Sequence, residues 1–576
     1  MNPKFKSSVR YRAGDGLMYN GIRQPTDWPP GKVDPMSDHP PNPPYLIAQE
    51  DGGTRPHVID ITIGRQLFVD DFLIHSTDLT PVYYTGKKYE QNPILSPETE
   101  DELRKDWGVG LSAGGVWYDM QEQKYKMWYD IAFNWGLGYA ESTDGIHWER
   151  QLCCVDNNGK PTSTIMDGSI KDGTCGVFID YECDPSEKYK MFMQSFLNQI
   201  NFEKPGDQPN IINSEYLTLP DSVEINAFAS TLYVSGDGIH WRQIGGLSKS
   251  VSGDASSAYY DAFRCKWINS IRAYAKTFYK DRVRSGRARW YAEGDKFTDL
   301  LEWTPDRATF WLKCDRDDPI DLASGFAPQM YNFNAIGYES ILYGGWQIWR
   351  GPENGEVVKT GNPKITEIMA SFSRDGFNVH RPSRVPLISA SRLDGYWDKG
   401  YLFAAPASLI VYDDEIRIYY SAFSGYKGDV KDGHGCQQIG FVTLRRDGFA
   451  SMNGKGELFT RPLTVNNGKK HLFVNVKTSP NSFRAEIIKA NGAVLEGFAR
   501  ADCIPVGGDS TCQQITWKNG RDLSFLNGNE FRIRFYMEDD GEFYSFWLSS
   551  DENGTSDGAM GAGYVPSKNL FPKKSI

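Results

Sequence analysis

At 576 residues the chain is too long for one ordinary domain, so two are expected. Its net charge of −11 argues against nucleic acid and anionic membrane surfaces as partners, and no run of about 18 apolar residues offers a membrane-spanning helix. Aromatic residues make up 14 %, with 16 Trp and 31 Tyr, which leans toward a β-rich, carbohydrate-handling protein.

Residues 1–60 are rich in Pro, Gly and Asp and read as an irregular arm. No apolar segment at the N-terminus marks a signal peptide. Arg65–His75, RQLFVDDFLIH, is the first convincing strand, expected to supply an outer strand to the last repeat and close a ring.

Five repeats follow, each a short strand, a polar turn and one or two further strands, with aromatic and β-branched residues in the strands. The first turn of each falls at Asp119, Asp180, Asp261, Glu339 and Asp413, at steps of 61, 81, 78 and 74 residues. A repeated small antiparallel sheet predicts a β-propeller, whose blades need about 40–50 residues each. The excess falls in long loops, the longest at Leu197–Phe228. After Phe449 short alternating strands predict a separate β-sandwich, and the final residues from Ser556 read as extended linker. The expected fold is all-β, with an arm at 1–60, a five-bladed propeller at 61–449 and a sandwich at 450–576.

The repeats close on a turn, Ser-x-Asp-Gly-x-x-Trp, complete at Ser142–Trp148 and Ser235–Trp241 and degenerate at Arg374–Phe377 and Arg446–Phe449. Because these copies recur in phase, their Asp residues read as turn formers rather than catalysts. Nine Cys and eight His show no metal-ligand spacing, so no metal is expected. Cys503 and Cys512 are near enough in sequence to bridge a hairpin, or to remain free.

This layout, with its SxDGxxW turns and appended sandwich, resembles the five-bladed β-propeller glycoside hydrolases, among them arabinanases, β-xylosidases, invertases and levansucrases. The likeness spans roughly residues 61–550 and is architectural, since the WMNDPNG opening and Arg-Asp-Pro motif of invertases are absent. Leu67-Phe68-Val69-Asp70-Asp71 and Ile418-Tyr419-Tyr420-Ser421 look like bacterial members with a C-terminal sandwich. Glu182-Cys183 is similar to an invertase motif, but it aligns with the first turn of the first repeat and reads as a turn. The resemblance implies a glycosidase acting on a plant or algal glycan, located in the periplasm or outside the cell. It implies no cofactor, with a structural calcium ion left open. A phosphorylase or transglycosidase, and a non-catalytic glycan-binding propeller, are the alternatives. Sugar, linkage and oligomeric state stay open.

In such hydrolases carboxylates project from the heads of innermost strands. Heads here carry Asp106 with Trp107, Asp172, Asp254, Asn332 and Asn334, and Trp397 with Asp398. Exits of second strands carry Asp130, Lys276, Arg350 and Glu353, and Trp135 and Trp349 are further stacking candidates. Asp172, Asp254, Glu353, Asp106 and Asp398 are the expected catalytic set, with Glu353 as general acid. Trp107, Asp130, Trp135, Lys276, Asn332, Asn334, Arg350 and Trp397 are expected to bind substrate. For any one Asp the structural alternative is a loop cap. Lys276, Arg350 and the basic stretch Arg282–Arg289 hint at an anionic sugar, although Arg282–Arg289 reads first as a solvated loop.

Overall fold

A computed structural model describes residues 16–30, 33–104, 107–111, 114–132, 135–166, 172–196, 210–211, 228–280, 282–360, 364–427 and 430–565. Strands dominate the regular structure of the described residues, which hold one short α-helix, Asn354–Thr360. None of these residues forms a helix long and apolar enough to cross a membrane.

Five antiparallel units follow one another. The first orders Val116–Asp119, Lys124–Ile131, Gly136–Ser142 and Glu149–Arg150. The second orders Asp172–Ile179, Tyr189–Phe196, Phe228–Ser235 and Arg242–Ile244. The third orders Ser257–Asp261, Lys266–Tyr279, Arg282–Gly294 and Thr309–Leu312. The fourth has Gln329–Glu339, Ile341–Trp349 and Thr366–Ser373. The fifth has Tyr401–Tyr412, Glu415–Lys427 and Val430–Arg445. One parallel pair, Thr366 with Tyr401, joins the last two units into a single sheet.

First strands touch in series from unit to unit, and Tyr401–Tyr412 returns to touch Val116–Asp119. Hydrogen bonds cross these seams. Val177 N donates to Gly114 O, Ser257 Oγ to Phe333 O, and the amides of Gly115 and Val116 to Ser408 Oγ. Every residue of Gln329–Glu339 is buried, as a strand flanked on both sides must be. The closing turns behave as turn formers. Asp144 Oδ1 accepts from the amides of Ile146 and His147, and Asp237 Oδ1 from those of Ile239 and His240. Trp148 packs edge-on against Tyr125 of its own unit and Tyr419 of the fifth.

Three expectations change. The outer edge of the fifth unit is Lys87–Lys88, which pairs with Val442 and Thr443. The expected segment instead enters a ten-stranded sheet. Gln66–Leu67 pairs with Phe531–Ser549, and Ile74–Thr77 with Ala450–Thr460. Its Asp70 is buried against Arg374, with Arg374 Nε 2.8 Å from Oδ2, so the Val-Asp-Asp motif docks this sheet onto the fourth unit. Second, the described part of the arm, from residue 16 on, contributes to the core. Tyr19 stacks on Phe263 at 4.5 Å, and Tyr45 is fully buried. Third, the segment read as linker returns to the first, fourth and fifth units, where Met560 pairs with Tyr338 and Tyr564 with Val411. Most of the Leu197–Phe228 insertion lies outside the described residues. Cys503 and Cys512 are both free thiols.

Candidate active site

The strongest convergence of chemistry grows from the hairpin Lys266–Tyr279 and Arg282–Gly294. Its ladder runs unbroken from Trp267 opposite Gly294 to Tyr279 opposite Arg282. The unit's first strand covers only Lys266–Ser270, so everything from Ile271 onward projects past that strand's head. Side chains alternate along it with period two. Ile271, Ala273, Ala275, Ala288 and Trp290 form an apolar face packed with Trp303 and Phe310. The opposite face carries Arg272 across from Arg289, Tyr274 from Arg287, and Lys276 from Ser285. The stretch expected to be a solvated loop is therefore a strand, and its Arg287 and Arg289 are buried.

Two carboxylates meet this face. Asp254, at the head of Ser257–Asp261, is ion-paired with Arg272 and accepts from Tyr331 Oη at 2.9 Å. Arg272 Nε also donates to Asp254 O at 2.8 Å, so one guanidinium fixes both the loop and its side chain. Glu353, after the exit of Ile341–Trp349, accepts from Gln329 Nε2 at 3.0 Å and lies 3.7 Å from Arg287 Nη1. Gln329 Oε1 accepts in turn from Arg287 Nη1 at 2.9 Å. The Arg287 guanidinium sits over the Trp349 ring at 3.9 Å, and Trp349 meets Tyr331 edge-on at 5.1 Å. Lys364 lies 5.2 Å from the same indole and 5.0 Å from the Tyr401 ring. Asp254 and Glu353 thus belong to one cluster, joined through Tyr331, Trp349 and Arg287.

Burial holds the Tyr331 hydroxyl well above its ordinary range, so it stays a donor to Asp254. Burial pulls Arg272 down, and the neighbouring Arg287 charge adds to this. Burial pulls Arg289 further down, with Arg272 contributing.

The other expected residues distribute as follows. Asp106 lies outside the described residues. Asp172 opens its strand opposite Ser195, but its side chain lies outside them. The adjacent Gln194 donates to Ser252 Oγ and accepts from Ser256 N, which brings the Asp172 strand end beside the Asp254 loop. Lys276 is exposed on the basic face. Asp398 has structural partners. It is buried against Lys88 Nζ at 2.5 Å and Tyr420 Oη at 3.1 Å, beside the edge strand of the fifth unit. Trp397 packs on Tyr420 there, at 5.2 Å. Arg350 is ion-paired too. It pairs with Glu367 at 3.1 Å, and Glu367 also holds Arg392. Asn332 and Asn334 are buried opposite Gln347 and Gly345, inside the fourth unit. Asp130 is buried opposite Gly110, Trp107 O accepts from Gln437 N at 2.8 Å, and Arg104 covers the Trp135 ring at 4.2 Å. Asp130 and Trp107 lie where the first and fifth units meet. Among the described residues, no group of His, Cys, Asp and Glu is placed to hold a metal ion.

A cavity of about 270 Å³ opens at the other, turn-bearing end, lined by Trp117, Tyr181, Trp267 and Met560 among others. Two of its carboxylates are matched by lysines, Asp180 by Lys190 at 3.1 Å and Asp295 by Lys266 at 2.8 Å. The strand-head cluster, not this cavity, gathers carboxylates with oriented donors.

No protein-family model matches the chain. Two uncharacterised proteins of Mycobacterium tuberculosis are each 23% identical to it over 168 residues, which is 26% of this chain and 53% of theirs. The chain spans about half the length of the curated relatives it matches. Among solved structures it is similar to an N-acetylgalactosamine deacetylase from F. plautii, at 14% identity over 65% of this chain and 96% of that one, with TM-score 0.36. It is also similar to a thermostable family-43 glycoside hydrolase, at 12% identity over 59% and 92%, with TM-score 0.36. A family 117 glycoside hydrolase of Zobellia galactanivorans gives 12% identity over 63% and 90%, with TM-score 0.30. Likeness at this level assigns neither a blade count nor a chemistry to this chain.

Proposed function

We propose that the chain is a glycan-active enzyme, a glycosidase built on a five-bladed propeller with the ten-stranded sheet as its accessory domain. The serial contact of the five first strands, closing on itself, supports the ring. One observation carries the chemistry: Asp254 and Glu353 lie in a single aromatic and guanidinium cluster at the strand-head end. Glycoside hydrolysis needs two carboxyl groups with different tasks on either side of the scissile bond. Asp254, paired with Arg272 and bonded by Tyr331, is held as the anion, suited to a nucleophile, base or cation-stabilising role. Glu353, at the half-exposed rim, exchanges the proton with the leaving oxygen. Asp172 is the proposed third carboxylate, on the strand end beside the Asp254 loop.

The test is a panel of plant and algal oligosaccharides, with released products separated by chromatography. Asp254→Asn and Glu353→Gln are each expected to lower turnover by about 10²–10⁴-fold with unchanged circular dichroism. Full activity in both variants would overturn the site and leave a glycan-binding propeller as the reading.

A second reading, phosphorolysis on the same scaffold, is favoured by the gathering of Arg272, Arg287 and Lys364 near the carboxylates. It predicts turnover that depends on inorganic phosphate and yields a sugar phosphate.

A further inference from the structure

The strand-head cluster buries more positive charge than its carboxylates balance. Arg289 is 0 % exposed, Arg272 6 % and Arg287 8 %. Only Asp254 and Glu353 oppose them among the described contacts, and those side chains are 40 % and 46 % exposed. Arg289 bonds neutral groups throughout. Its Nη1 donates to Ala255 O at 2.9 Å and Tyr331 O at 3.1 Å, and its Nη2 to Ser270 Oγ at 2.7 Å. A buried charge without a counter-ion is strongly unfavourable, so this face favours an anion beside its guanidinium groups. Arg287 is built to meet one. Trp349 supports its plane at 3.9 Å and Gln329 holds its Nη1 at 2.9 Å, while its buried Nε has no hydrogen-bond partner among the described residues. A guanidinium fixed in this way presents a planar fork to an oxyanion with little rotamer entropy left to lose.

We propose that this cluster takes a substrate oxyanion, a carboxylate or sulfate ester carried on a sugar ring, with Arg287 as its direct ligand and Arg272 and Lys364 adding charge. That the carrier is a sugar rests on the glycosidase reading, whereas the need for an oxyanion does not. Lys276, exposed farther out on the same face, extends the positive field toward solvent.

The test is calorimetric titration of the full chain with an oligogalacturonate, a sulfated galactan oligosaccharide, a neutral galactan oligosaccharide of equal length, and inorganic phosphate. At least one anionic saccharide is expected to bind about tenfold or more tighter than the neutral one, with the gap closing as salt rises. Arg287→Gln should erase the gap, and Arg287→Lys should restore part of it. Should the Arg287 variants fold poorly, Asp254→Asn serves instead. It removes a competing anion, so it should tighten anion binding while abolishing turnover. Saturable phosphate binding that Arg287→Gln removes would support the oxyanion and assign its source to free phosphate. Equal affinity for neutral and anionic saccharides, with no phosphate binding, would overturn the proposal and leave the glycosidase reading standing. Anion preference together with undiminished turnover in Asp254→Asn and Glu353→Gln would instead overturn the glycosidase reading alone.

Discussion

The guanidinium of Arg287 lies 3.9 Å from the centre of the Trp349 ring, and both side chains are buried. Arg287 comes from the long hairpin of the third unit and Trp349 from the second strand of the fourth. The contact therefore bridges two units and supports the plane of one donor. Trp349→Phe keeps an aromatic face and should bind glycan nearly as the parent does. Trp349→Leu keeps bulk but no ring, and loses a cation–π contribution of about 0.5–2 kcal/mol. We expect a rise in KM in the Leu variant that the Phe variant does not share. Equal KM values in both would mean that the ring supplies volume alone.

Asp398 tests the boundary between structural and functional acids. Its carboxylate is 1 % exposed and is matched by Lys88 and Tyr420. Lys88 is itself about a third exposed, so solvent screens part of the pair. Asp398→Ala should cost about 1–3 kcal/mol in urea melts and leave turnover per folded molecule at the parent value. A variant that melted like the parent yet lost turnover would restore Asp398 to the site.

These cases show what the chain reveals unaided. The turns were legible because their chemistry is local: Ser142, Asp144 and Gly145 satisfy one another within a few residues. The convergence of Asp254 and Glu353 was legible from strand direction, because heads and second-strand exits share one end. The buried pairing of Asp398 with Lys88 was not. A strand-head position does not say whether the side chain faces the axis or the outer edge, and its partner sits in the two-residue strand Lys87–Lys88, too short for periodicity. Arg272 and Arg287 were missed for another reason. The alternation Arg272-Ala273-Tyr274-Ala275-Lys276 marks a two-faced strand, but Gly286 and the run of charge suggest a loop. Only its partners, Asp254 from the head of the same unit and Tyr331 and Trp349 from the fourth, give that polar face a role.

The carboxyl of Asp144 carries a pH signature. Burial alone would raise it, but hydrogen bonds from the His147 side chain and from the amides of His147 and Ile146 outweigh this and hold it well below the usual carboxylate range. A depressed folded pKa contributes stability that is present above the unfolded value, about 3.9, and is lost as pH falls through the folded one. The side chain is nearly half exposed, so Asp144→Ala should cost only about 1 kcal/mol at pH 7. The gap between parent and variant should narrow below about pH 4, read from urea melts at pH 7 and pH 3. A gap that stayed constant into acid would mean that the ionised carboxylate is not the stabilising form.

At the turn-bearing end, residues 559–565 of the C-terminal segment bridge three of the units. Tyr118 N donates to Ala562 O at 2.8 Å, Gly561 N to Gly337 O at 3.0 Å, Ala562 N to Leu409 O at 2.7 Å, and Val411 N to Gly563 O at 3.0 Å. These four bonds tie the first, fourth and fifth units to the turn at residues 561–563, and Ala562 is fully buried among them. The fit leaves no room for a side chain at Gly563. A Cβ there would stand 2.4 Å from Tyr118 O, and its φ of +123° disfavours any other residue. Gly563→Val should therefore displace the segment, and ending the chain after Gly558 should remove it. Each lost hydrogen bond contributes about 1 kcal/mol net, and the amides left behind are buried, so truncation should cost about 3–5 kcal/mol. Hydrogen exchange at the amides of Tyr118 and Val411 should rise in both variants. Binding at the strand-head end should change little, because among the described residues 559–565 make no hydrogen bond or ring contact with Asp254, Arg287 or Glu353. A truncated chain with the parent's Tm and unchanged exchange at these two amides would show that the segment lies on the ring without holding it together.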